Sequence, residues 1–75
     1  MNKKYNFIND EVIIDFKVPE GLLKLIDYLE ELDEKEDYSF YNFAESLEYD
    51  GRYYVRNGEM TKQQWITLCN RYGGF

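Results

Sequence analysis

A chain of 75 residues with fifteen acids, nine lysines and arginines and no histidine carries a formal charge of −6 at pH 7. That length holds one small core, and 44% hydrophobic residues, 19% aromatic residues and a single proline exclude a chain too poor in apolar side chains to fold. One cysteine excludes an internal disulfide, its pairing with no histidine excludes the usual zinc sites, and no apolar run approaches the ~20 residues of a membrane span. The Met1-Asn-Lys-Lys start leads into polar and aromatic residues rather than a signal-peptide apolar region, so a cytoplasmic protein is expected.

Residues 5–18, YNFINDEVIIDFKV, read as strand, turn, strand. Val12, Ile14, Phe16 and Val18 alternate with Glu11, Ile13, Asp15 and Lys17, the period of two of a half-buried strand, and Tyr5 and Phe7 make a shorter alternation before the Asn9-Asp10 turn. The next stretch, from Pro19 into Asp37, organises the chain. On a wheel of about 100° per residue, Leu22, Leu25, Ile26, Leu29 and Leu32 form one arc, while Glu20, Asp27, Glu31 and Glu34 gather opposite them around Lys24. Pro19 suits the first helical position, where its missing N–H is not needed, and Glu20 sits at the positive end of the helix dipole. Asp33, Glu34, Glu36 and Asp37 crowd the negative end, and Lys35 offsets only part of that charge.

Residues 39–57 pose a conflict between two signals. Asp50-Gly51 suggests a hairpin, yet Phe40, Phe43, Ala44, Leu47, Gly51, Tyr54 and Val55 fall in a single helical arc, and seven periodic positions outweigh one dipeptide. Glu48 stands four residues before Arg52, the favourable order for a helical ion pair, and Asn57-Gly58 supplies a stop. Gly51 faces the core in this helix, where a missing side chain lets a neighbour approach. The last helix, 61–72, opens on a Thr61…Gln64 capping box flanked by Met60 and Trp65 at the staple positions. Trp65, Leu68, Cys69 and Tyr72 form its buried face, and Gly73-Gly74 ends it. The expectation is one α+β domain over residues 1–75, an N-terminal β-hairpin packed on three helices, with a second hairpin as the alternative for the second helix. Leu22, Leu25, Ile26, Leu29, Phe43, Leu47, Trp65 and Leu68 are expected at the centre of the core.

Catalytic chemistry needs an activated nucleophile, a tuned acid–base pair, a metal or a cofactor. Cys69 lies on an apolar face with no histidine to activate it, the carboxylates line an exposed face, and Asp33 to Asp37 lacks the alternating ligands and central glycine of a calcium loop. No catalytic, cofactor or metal residues are expected, and the chain reads as a binding protein.

Charge is distributed unevenly. Residues 1–9 carry Lys3 and Lys4; residues 10–50 carry fourteen acids against Lys17, Lys24 and Lys35; residues 51–75 carry Arg52, Arg56, Lys62 and Arg71 against Glu59. The acidic middle points to a partner with a basic surface: Glu20, Asp27, Glu31 and Glu34, extended by Glu30, Glu36 and Asp37, would stand in for phosphates in the groove of a nucleic-acid-binding effector. Tyr49 and Tyr53, beside Arg52 and Arg56, are a second candidate contact patch, for a protein partner or for a homodimer. In size, acidity and aromatic content the chain resembles the small anti-defence proteins of phages and mobile elements, among them anti-CRISPR and anti-restriction inhibitors, with no shared motif. That resemblance implies an inhibitor acting by charge mimicry. Two other readings stand beside it. One is a helix-turn-helix DNA-binding regulator presenting Lys62, Gln63, Thr67, Asn70 and Arg71 on the last helix, and the other is an ordinary protein–protein adaptor.

Overall fold

The computed structural model describes residues 5–73, so Lys3, Lys4 and Gly74 lie outside the described residues. Three helices follow one another, α1 (Glu20–Glu34), α2 (Phe40–Arg56) and α3 (Lys62–Tyr72), with α2 packed against both of the others. No strand occurs among the described residues, so the architecture is all-α and the expected α+β fold with its N-terminal hairpin is corrected.

The reason lies in where the backbone donors of residues 5–18 go. The N–H groups of Asn6, Phe7 and Ile8 all donate to the Asp33 carboxylate on α1, the last at 3.0 Å, and Asn9 N–H donates to the Arg71 carbonyl on α3 at 2.8 Å. The first limb of the expected hairpin is thus tied to α1 and α3, and it forms no ladder with residues 12–18. The Asn9-Asp10 turn does form, closed by Val12 N–H on the Asn9 carbonyl and Glu11 N–H on Asn9 Oδ1, but the segments it joins run to different helices. The period-of-two pattern survives as exposure: Val12, Ile14, Phe16 and Val18 are turned inward, while Glu11, Ile13, Asp15 and Lys17 are exposed. Residues 5–18 are therefore an extended strap across the helices, contributing Ile8 and Val18 to the core.

In α1, Pro19 occupies the N-cap rather than the first helical position; its carbonyl accepts from Leu22 and Leu23. The helix ends at Glu34 rather than at Asp37, in a paired closure where Glu36 N–H donates to the Asp33 carbonyl and Asp37 N–H to the Leu32 carbonyl. That closure places Glu36 at φ 55°, a left-handed position usually given to glycine. Asp37 Oδ1 then accepts from the Ser39 N–H at 2.9 Å and hydroxyl at 2.8 Å, which shapes the turn into α2.

Within residues 39–57 the helix α2 (Phe40–Arg56) forms, and the alternative hairpin is absent. Phe40, Ala44, Leu47 and Gly51 are its buried positions, and Glu48 pairs with Arg52 at 3.7 Å. Gly51 meets the Trp65 indole of α3, whose Nε1–H donates to the Glu48 carbonyl at 3.1 Å. α3 opens on the expected capping box, with Gln64 N–H on Thr61 Oγ1 at 3.0 Å and Thr61 N–H on Gln64 Oε1 at 2.9 Å. It ends at Gly73, whose φ of 78° favours glycine.

Leu22, Ile26, Leu29, Leu47 and Leu68 are buried as expected, joined by Phe40, Leu32, Met60 and Tyr72. Leu25 and Trp65 are only half-buried, and Phe43, at the edge of the α2 arc, is exposed, its ring edge-on to Tyr28 at 4.9 Å.

Cys69 is buried on α3, as its helical position requires. Desolvation, and secondarily the Glu48 charge, pushes its thiol from the ordinary 9.0 up to about 11. At neutral pH it is a packed, protonated side chain rather than a nucleophile. A thiol whose pKa is raised on folding contributes stability that is intact below pH 9 and lost as pH climbs towards 11. Tyr72, raised chiefly by its own burial, loses stability in an overlapping alkaline range. Denaturation midpoints measured at pH 8 and pH 10.5 should therefore fall less in Cys69→Ala than in the parent, Tyr72 contributing to the drop that remains; equal drops would show that the thiol plays no part.

Candidate functional site

The helical geometry of α1 places Glu20, Asp27, Glu30, Glu31 and Glu34 on its outward side, all exposed, and the turn that follows adds exposed Glu36 and Asp37. Neutralisation is slight. Lys35 Nζ lies 3.0 Å from Glu31 Oε1, and that hydrogen bond raises the lysine's pKa; Lys24 is the other cation on the helix. Asp37 is held below the usual carboxylate range, first by the Ser39 backbone N–H and then by its hydroxyl, so it stays ionised while shaping the turn. Glu30 and Glu34 also line an open cleft of about 380 Å³ with Tyr5, Asn6 and Asp33.

Asp33 belongs to this acidic run in sequence but not in space. It is 2% exposed, and its carboxylate takes the three strap N–H groups while its carbonyl accepts from Asn6 Nδ2. This is a structural anion, not a docking one.

Tyr49, Arg52, Tyr53 and Arg56 share the outward face of α2, where Tyr49 and Tyr53 are 63% and 60% exposed. The Arg52 guanidinium lies 5.9 Å from the Tyr49 ring centre and 5.8 Å from that of Trp65, while Tyr53 stands edge-on to Tyr54 at 5.4 Å. The sequence reading missed a second aromatic group. Phe7 of the strap meets Tyr38, Phe40 and Tyr41 at ring separations of 5.2 to 5.5 Å, and Tyr38 and Tyr41 remain 72% and 52% exposed immediately after the acidic turn. The run Tyr38-Ser39-Phe40-Tyr41, with more rings than one helix face can bury, was the available signal.

The DNA-reading surface expected on α3 is only partly assembled. Lys62, Gln63 and Asn70 are exposed, but Thr67 bonds back to the Gln63 carbonyl and Arg71 Nη1 donates to the Val12 carbonyl at 2.6 Å. Arg71 also lies 5.7 Å from the Tyr5 ring centre and 5.6 Å from that of Tyr72, so it serves the strap.

Among the described residues the fold and this surface define an all-α arrangement of three helices with one acidic face and one Tyr–Arg face, and no helix is long and apolar enough to cross a membrane. No protein-family model, curated protein or solved structure matches the chain.

Proposed function

We propose that this is a non-enzymatic binding protein that lays the acidic face of α1 into the basic, nucleic-acid-binding groove of another protein, as an anti-defence inhibitor of the anti-CRISPR or anti-restriction type would. The observation that carries the reading is the exposure of seven carboxylates along one helix face and its adjoining turn, of which, among the described residues, only Glu31 forms an ion pair. Carboxylates so arranged attract lysine and arginine side chains that otherwise hold phosphates. Exposed Tyr38 and Tyr41, at the end of the acidic run, add the apolar contact that charge alone does not provide. The commitment of Arg71 to the strap counts against direct DNA binding by α3, whose remaining exposed cation is Lys62.

The test adds the protein to DNA-cleavage reactions run by a panel of purified restriction and CRISPR effector nucleases. Inhibition of one of them should fall by about 100-fold or more in the Asp27→Lys/Glu31→Lys/Glu34→Lys variant, and should weaken steeply in the parent as salt rises. Circular dichroism of the variant should be unchanged. Full inhibition by that variant would reduce the acidic face to solvation, and a panel left uninhibited while labelled duplex binds the protein at low salt would return the function to DNA binding.

A further inference from the structure

The outward face of α2 carries Glu45, Tyr49, Arg52 and Arg56 at successive spacings of four, three and four residues, the interval that keeps side chains on one narrow seam of a helix. All four are exposed, and neither Glu45 nor Arg56 forms an ion pair with any described residue. The seam carries a negative charge at one end and a positive charge at the other, with an aromatic ring and a guanidinium between them.

We infer that a second copy of this chain docks on this seam, α2 against α2, antiparallel about a two-fold axis that passes between the levels of Asp50 and Gly51. In that register Glu45 faces Arg56 of the second copy, and Tyr49 faces Arg52 of the second copy; the axis repeats each pair, giving two ion pairs and two cation–π contacts from four side chains of each copy. The pattern is self-complementary only in the antiparallel sense, because a parallel pairing would set Glu45 on Glu45 and Arg56 on Arg56. Exposed Tyr53 flanks the seam and extends its apolar area. The seam is about 16 Å long at 1.5 Å per residue, short of the surface a permanent dimer buries, so association is of the weak, concentration-dependent kind.

Sedimentation velocity from about 5 to 500 µM in about 0.15 M salt, where long-range repulsion between two acidic bodies is screened, should show a monomer–dimer equilibrium. Glu45→Arg and Arg56→Glu should each weaken it about tenfold or more, since each sets like charges against each other twice. The double variant Glu45→Arg/Arg56→Glu should return to within about threefold of the parent, because exchanging the charges at both ends of a self-facing seam regenerates both pairs. A surface built for a different protein has no reason to show that rescue. A monomer throughout the range, single reversals without effect, or a double variant as weak as the singles would each overturn the proposal. The Asp27→Lys/Glu31→Lys/Glu34→Lys variant should dimerise as the parent does, so failure of the acidic-face reading and failure of this one are separable.

Discussion

Asp33→Ala should be among the most damaging single substitutions in the chain, costing about 3 kcal/mol. The wild-type carboxylate accepts from the backbone N–H groups of Asn6, Phe7 and Ile8, and Asp33 itself is 2% exposed. Removing it takes the acceptor from all three, and the Ile8 N–H, which is buried, is left unsatisfied at a cost of about 1–3 kcal/mol, with a smaller cost at the part-buried Phe7 and Asn6 donors. The cost is partly relieved if the strap lifts into solvent. Lifting has its own cost, because Ile8 and Val18 leave the core with it. For a domain of this size the whole stability is about 4–11 kcal/mol, so the variant loses a large share. Asp33→Asn keeps the shape and the Oδ1 acceptor but turns an N–H₂ towards Asn6 N–H, which also donates to Oδ2; its cost should be intermediate. Urea denaturation of the three proteins checks the order, and an Asp33→Ala variant as stable as the parent would show that the strap is not held by this group.

Gly51→Ala should destabilise by about 2 kcal/mol, although helix propensity alone favours alanine there by about 1 kcal/mol. A Cβ on Gly51 would collide with Trp65 Cδ1 and stand 2.7 Å from Trp65 Nε1. The indole cannot simply swing aside, because its N–H is bonded to the Glu48 carbonyl and Arg52 lies over its ring. Overpacking of about 1–3 kcal/mol plus a strained hydrogen bond of about 1 kcal/mol exceeds the propensity gain. The chain has one tryptophan, so unfolding followed by its emission reports on this contact directly. A rise in stability would mean that α2 and α3 separate freely enough to admit a methyl group.

The three helices were legible because their signals are periodic and local. Seven α2 positions on one arc correctly outweighed Asp50-Gly51, and the Thr61…Gln64 box set the start of α3. The strap was misread for a physical reason: alternation records which side chains face inward, and says nothing of which backbone accepts the hydrogen bonds. Residues 12–18 alternate in exposure without a neighbouring strand. Asp33 held the missing information, since on the α1 wheel it falls between Leu22 and Ile26, inside the apolar arc. An acid there needs donors, and the only free backbone donors within reach are those of an unladdered segment. Counting Asp33 with its acidic neighbours concealed this. The faces of the candidate sites follow from helix geometry and were readable in advance. The capture of Arg71 by the Val12 carbonyl was not, because it joins residues 59 apart in sequence.

That separation also orders the events of folding. α1 with α2, and α2 with α3, are neighbours in sequence and close through short loops, whereas the strap must bring Val12 to Arg71 and residues 6–8 to Asp33 across 25 to 59 positions. Loop-closure entropy makes such contacts late to form. They are correspondingly early to open. A transient state with the helices paired and the strap detached uncovers the core around Ile8 and Val18, so the amides that end on the Asp33 carboxylate exchange as one unit, ahead of those inside the helices.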